Sequence, residues 1–184
     1  MQRRRFTPFV IVLALVGQWS AATSAPAVAA DLPSGATLSI VAPPVQIEAG
    51  RTDSFADATP GQLIQPGDTV RTGTGGVAVL TFFDGSESQL STDSQVQVAR
   101  ADYSPAPNIA LSQASGVTVN RVIPLPPGGN FETDTPSAIG LVRGTSYVVS
   151  VTPAADDADS GVSSAELLTD RDGHVGDVQL QPSD

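Results

Sequence analysis

The sequence predicts an all-β protein: an irregular β-solenoid-like or sandwich-like single domain of about ten to twelve short strands. Three observations carry this. Beyond residue 30, no stretch shows a convincing helical period. β-branched residues dominate the apolar set, and short apolar alternations recur along the chain. Turn signals separate them, drawn from the 17 glycines and 15 prolines of the 184-residue sequence.

Residues 1–30 stand outside that domain. Arg3, Arg4 and Arg5 form a positive head, and the eight apolar residues from Phe9 to Val16 follow. Ala27, Val28, Ala29 and Ala30 then supply the small residues a signal peptidase reads, which is the three-part pattern of a secretory signal. The apolar run falls far short of the roughly 20 residues needed to span a bilayer as a helix. Cleavage is expected after Ala30, with Ala29 and Ala25 as alternatives. The arginine head leaves general and twin-arginine export both open. No cysteine follows, so a lipid anchor at a lipobox cysteine is excluded.

Cleavage after Ala30 leaves 154 residues, enough for one core without disulfides. Three of the nine arginines leave with the signal while all nineteen acidic residues stay, taking the net charge from −10 to −13. There is no lysine. Such a surface repels phosphate backbones and anionic bilayers, so neither nucleic acid nor a membrane span after signal cleavage is expected. Acidity alone names no partner.

The domain is expected over residues 36–181. Residues 37–41 form the first alternation, closed by Pro43 and Pro44; residues 45–48 form the second, closed by Gly50. Residues 62–64 precede a turn at Gln65, Pro66, Gly67 and Asp68. Residues 69–71 follow, and residues 73–76 turn again. Residues 77–83 are apolar on both faces, the pattern of an interior strand covered on both sides. Asp84-Gly85 reads as a type I′ hairpin turn. Residues 89–90 lead to residues 95–99, a half-buried alternation. Residues 105–108 are a loop, Ile109 and Leu111 mark a strand, and Gly116 breaks it from residues 117–123. Residues 124–129 ("PLPPGG") are a stiff exposed connector. Residues 131–133 lead into residues 135–151, read as one strand with Ile139, Leu141, Thr145, Tyr147, Val149 and Val151 in phase. Residues 153–161 form an acidic flexible loop. Residues 165–168 and 174–180 read as a final hairpin around Asp170 to Gly173.

Three stretches together resemble the FecR domain family: "LIQPGDTVRT" (63–72), "GVAVLTFFDGSESQL" (76–90) and "FETDTPSAIGLVRGTSYVVSV" (131–151). The residues that carry the resemblance are Gly67, Asp68, Val70 and Thr72; Asp84, Gly85 and Ser86; and Thr135, Pro136, Ala138, Val142, Arg143, Gly144, Thr145, Tyr147 and Val149. The resemblance implies an all-β, solenoid-like fold and a binding and signalling module, not an enzyme. In the best-known members the domain is the periplasmic part of a single-span regulator that senses a TonB-dependent receptor and controls a sigma factor. Only eight residues precede the apolar run here, so a cytoplasmic sigma-binding part is not expected, and nothing after Val151 resembles a receptor-docking domain. The expectation is an exported, free-standing module located in the periplasm, on the cell surface or outside the cell. It binds an envelope or extracellular protein and needs no cofactor. A structural or adhesive surface protein that self-associates through sheet edges is the alternative.

Arg143 falls in the apolar phase of its strand and needs an explanation. A buried arginine requires a partner, and Asp68 and Asp84 are the preferred candidates for a structural strut. The other reading is an arginine that grips a ligand carboxylate or phosphate. A bulge at Gly144 would shift the phase by one residue. Asp170-x-Asp172-Gly173 lacks the third oxygen ligand and the glutamate of a calcium loop. The cluster Asp156, Asp157 and Asp159 reads as a solvated loop. His174 is the sole histidine and sits beside a turn without a nucleophile elbow, so neither a catalytic triad nor a zinc site is expected. Trp19 leaves with the signal, which removes any tryptophan platform for sugars.

Overall fold

The computed structural model describes residues 34–153, 162–168 and 178–181, which are strand, turn and loop throughout. The described residues form fourteen strands: β1 (Ala36–Ala42), β2 (Val45–Glu48), β3 (Phe55–Asp57), β4 (Leu63–Ile64), β5 (Thr69–Thr72), β6 (Val77–Phe82) and β7 (Glu87–Leu90). They continue with β8 (Gln95–Tyr103), β9 (Pro107–Arg121), β10 (Asn130–Thr135), β11 (Ala138–Val142), β12 (Ser146–Thr152), β13 (Val162–Leu168) and β14 (Val178–Gln181). The all-β expectation holds. The count exceeds ten to twelve because short pieces such as the three-residue β3 carry too few alternations to be read from sequence. Residues 1–30, Asp156, Asp157, Asp159, Asp170, Asp172 and His174 lie outside the described residues.

β9 organises the fold. It is 15 residues long, and its two halves serve different layers. Residues 107–115 pair with β8, and residues 108–112 also pair in parallel with β10. Residues 116–121 pair with β12, and residues 118–121 with β7. The first layer therefore runs β4-β1-β6-β7-β9-β12-β13, and the second β3-β2-β5-β8-β9-β10-β11-β14. The two layers are one continuous, open sheet that curls at β9. The bend falls at Gly116, whose φ is +84°. A Cβ there would lie 2.6 Å from Ser94 Cβ, inside any real contact, so only glycine lets the two backbones approach.

Both layers face one core. Leu38, Leu80, Leu90 and Tyr147 enter it from the first layer; Val70, Val96, Val98, Ile109 and Phe131 enter from the second. Phe82 and Phe131 meet edge to face across the layers, ring centres 5.7 Å apart. Each such side chain contributes roughly 1.5–3 kcal/mol through burial.

Four local expectations change. Residues 135–151 are not one strand. β11 belongs to the second layer and buries Gly140 and Val142, whereas β12 belongs to the first and buries Tyr147, Val149 and Val151. The chain crosses between layers at Arg143-Gly144, so Ile139 and Leu141 fall on the half-buried outer side. Second, β6 is fully covered on one face only, by Ala78, Leu80 and Phe82; Val77 and Val79 on the other face are half-buried.

Third, Asp84-Gly85 is not a type I′ turn. Gly85 has positive φ (+91°) but Asp84 does not, and the Gly85 amide donates to the Phe82 carbonyl at 3.0 Å. This is the longer loop that closes on a left-handed glycine, with Phe83 drawn out of the strand. Fourth, β13 and β14 do not pair with each other. β13 joins β12 and β14 joins β11, so each extends a different layer.

Candidate functional site

The motif residues resolve into backbone-holding devices. Asp68 follows a turn in which the Gly67 amide donates to the Val98 carbonyl at 2.7 Å. Its Oδ2 accepts the Gln65 amide at 2.8 Å, and its Oδ1 accepts the Gly50 amide at 3.0 Å. One carboxylate thus ties the loop after β2 to the turn before β5. Thr72 is buried, and its hydroxyl donates to the Ser91 carbonyl while accepting the Ser94 amide at 3.0 Å. That fixes the turn between β7 and β8 against the end of β5.

The other two motifs converge on a single segment, residues 122–125. Asp84 accepts from the Ser86 amide at 2.9 Å and from the Ser86 hydroxyl at 2.8 Å. The same buried hydroxyl accepts the Ile123 amide at 3.2 Å. From the opposite side, the Val122 amide donates to the Thr145 carbonyl at 2.9 Å and the Leu125 amide to the Arg143 carbonyl at 3.3 Å. Gly144 has φ +131°, and a Cβ on it would lie 2.7 Å from Pro124 Cα. The glycine is needed because the layer crossing presses directly onto the connector. Pro136 lies in the turn joining β10 to β11, where the Thr135 hydroxyl donates to the Ala138 carbonyl at 2.7 Å.

The structure brings Asp84, Gly85, Arg143, Gly144 and Thr145 to one junction. Gly67, Asp68 and Thr72 instead hold turns at either end of β5, and Pro136 sits in the turn between β10 and β11.

Arg143 corrects the strut expectation. Its side chain is exposed, and the carboxylates of Asp68 and Asp84 are engaged with backbone amides and with Ser86. It is the Arg143 carbonyl that supports the fold, through Leu125. The physical reason is the layer crossing: outside both strands, residue 143 has no inward phase to obey. Arg121 is exposed at the same end of the first layer, pairs in register with Ser146, and lies 3.9 Å from Glu87. Among the described residues, two arginines therefore edge this junction.

A further polar device escaped the sequence reading. Ser88 donates to Asn120 Oδ1, Asn120 Nδ2 donates to Thr118 Oγ1 at 3.0 Å, and Thr118 donates to Gln113 Oε1 at 2.8 Å. Gln113 Nε2 reaches the carbonyls of Gly116 at 2.8 Å and Val149 at 3.3 Å. All four side chains are buried. The Thr133 hydroxyl and Tyr147 hydroxyl meet at 2.8 Å across the layers, and burial raises the Tyr147 pKa well above its ordinary value despite that bond. The available signal was the even-numbered polar phase of residues 117–121, which alternation alone assigns to solvent.

A hollow of about 170 Å³ lies between Gly35, Thr37, Leu63, Thr81 and Phe83. None of its lining residues is titratable, so it supplies no acid, base or charged ligand.

No curated protein and no solved structure matches the chain. The family model described as "FecR protein" matches residues 68–168, more than half of the chain. That stretch runs from the aspartate at the first motif turn to the end of β13 and contains the whole junction. With its turns, junction and strand order in view, the chain belongs to the FecR family, a family of regulatory, non-enzymatic modules that act in signalling through protein–protein contacts.

Proposed function

We propose that this chain is an exported, non-catalytic FecR module that binds an envelope or extracellular protein through the rim of its motif junction. One observation carries the reading: the junction engages Asp84, Ser86 and the backbone of residues 143–145 internally, yet leaves the Arg143 guanidinium exposed. On a chain with net charge −10, exposed arginines at one edge stand out as attachment points for an acidic group of a partner. Family membership supports a binding role over an enzymatic one, and the composition of residues 1–30 supports export.

The test is a crosslinking pulldown from the native host with the mature chain, run beside Arg143→Glu. One stoichiometric protein, lost with the Arg143→Glu variant and reconstituted from purified components, supports the reading. Recovery of nothing besides the chain itself would replace it with a structural surface protein. N-terminal sequencing of the recovered chain should begin at Asp31; retention of Met1 would refute export by cleavage.

A further inference from the structure

The hollow beside β1 and β6 has a size and a lining that select its occupant. Leu63, Thr37, Thr81, Phe82 and Phe83 border about 170 Å³ of space. An apolar cavity of about 150 Å³ is enough to hold one benzene ring. The hollow therefore takes one ring or one branched apolar group, and it falls short of the roughly 300 Å³ at which pockets begin to bury a whole drug-sized ligand. None of its lining residues carries a charge, so a charged group entering it would lose hydration without a counter-ion. The rim is apolar as well. Among the described residues, the large apolar side chains left exposed are Val41, Leu63 and Tyr103. Leu63 lines the hollow, and Tyr103 meets Phe83 edge to face with ring centres 6.4 Å apart.

The hollow is continuous with the motif junction. Phe82 and Phe83 lead directly into Asp84, Gly85 and Ser86, so one loop walls the hollow and also holds the junction. The registers add a path between them. Leu63, Thr37, Thr81, Glu87, Arg121 and Ser146 form one transverse row across β4, β1, β6, β7, β9 and β12, which Leu168 of β13 continues. Thr81 and Arg121 lie two strand spacings apart, about 10 Å, a distance that about three residues of extended chain span. Arg121 is open to a new partner. Its side chain is 74% exposed, and Glu87 at 3.9 Å forms a surface pair of small energetic weight. Asp84, the other acid of this loop, is engaged by Ser86. Arg143 is exposed at the same junction.

We propose that the hollow is the second anchor of the junction's partner: an extended partner segment seats one aromatic or bulky apolar side chain between Leu63, Thr81 and Phe83, and about three residues along offers a carboxylate to Arg121 and Arg143. This rests on the binding function proposed above and gives the partner a chemical signature, an apolar side chain and an acid in one short stretch. Burial of the apolar side chain supplies affinity. The carboxylate fixes direction, because a reversed segment carries the acid away from both arginines.

The probe is a capped peptide, Ser-Phe-Gly-Ser-Glu-Ser, titrated into the isotope-labelled chain beginning at Asp31. Shifts should appear at the methyls of Leu63 and Thr81 and at the Arg121 guanidinium. Peptides with Ala for Phe, or with Gln for Glu, should bind at least about fivefold more weakly. Thr81→Phe keeps strand propensity, fills the hollow and should abolish the Leu63 shift. Absence of shifts at millimolar peptide would overturn the proposal, as would shifts indifferent to both peptide replacements. So would binding seen only in a chain beginning at Ser34, which would assign the hollow to residues 31–33 of this chain. The pulldown separates this site from the function it rests on. A partner lost with Arg143→Glu but retained with Thr81→Phe would leave the binding function standing and overturn the hollow as its anchor. Peptide binding with the expected pattern supports the hollow even where the pulldown recovers no protein, a result that counts against the binding function alone.

Discussion

Asp68 Oδ1 accepts the Gly50 amide at 3.0 Å, joining residues 18 positions apart through a side chain that holds the Gln65 amide on its other oxygen. A short motif aspartate therefore acts as a two-ended clamp between loops. Hydrogen bonds to a charged group contribute about 1.5–3 kcal/mol each when shielded, and less where water competes. Asp68 is half-buried, so Asp68→Ala should cost roughly 1–3 kcal/mol in urea unfolding. Asp68→Asn keeps one good acceptor and should lose less. Equal stability of the two variants would show that the acceptor kept by asparagine contributes nothing, and Asp68→Asn matching the unmodified chain would show the same of the second oxygen.

Thr145 presents the opposite case. Its residue is 7% exposed, and its hydroxyl oxygen has no hydrogen-bond partner among the described residues. An unsatisfied buried hydroxyl is destabilising, and a methyl of similar shape is not. Thr145→Val should therefore raise stability by about 1 kcal/mol, read as a higher urea midpoint at unchanged slope. The supporting bond at this position comes from the Thr145 carbonyl to Val122, which valine retains. A loss of stability would reveal a hydroxyl partner that matters.

Tyr147 makes stability fall at alkaline pH. Desolvation raises its folded pKa far above the unfolded value near 10, outweighing the Thr133 bond that lowers it. The neutral form is thus favoured in the folded chain. Its stabilising contribution is fully present below about pH 10 and is lost as pH rises beyond that. Tyr147→Phe should lower stability at neutral pH, because it strands the buried Thr133 hydroxyl, by roughly 1–3 kcal/mol. It should also flatten the decline above about pH 10. Parallel pH profiles for the two proteins would contradict this.

Arg143 separates folding from binding. Its guanidinium is exposed, so Arg143→Ala should change stability by no more than about 0.5 kcal/mol. Under the proposed function, Arg143→Glu should weaken partner binding by about tenfold, or 1.4 kcal/mol. Gly144→Ala is the contrasting variant. Its Cβ meets Pro124 in a left-handed backbone, and thermal melting should drop steeply. If Arg143→Ala melted as early as Gly144→Ala, the exposed placement of Arg143 would be wrong.

Much of this protein was legible along the chain because turn chemistry and alternation are local. The glycines and prolines between residues 65 and 129 marked most strand ends, and apolar pairs such as Leu80 and Phe82 marked the core. The three FecR-like stretches, read in order, pointed to the family that the match over residues 68–168 shows. Tertiary structure decided which phase of each strand faces inward. A shift of one residue moves every side chain to the other face, and only pairing with distant strands selects the shift. That is why Thr118 and Asn120 lie buried beneath Val117 and Val119: Ser88 and Gln113, brought in by other segments, satisfy their polar atoms. It is also why Arg143 could not be placed from sequence. The crossing between layers exists only once β11 has found β10 and β12 has found β9, and that crossing takes residue 143 out of both alternations and into solvent.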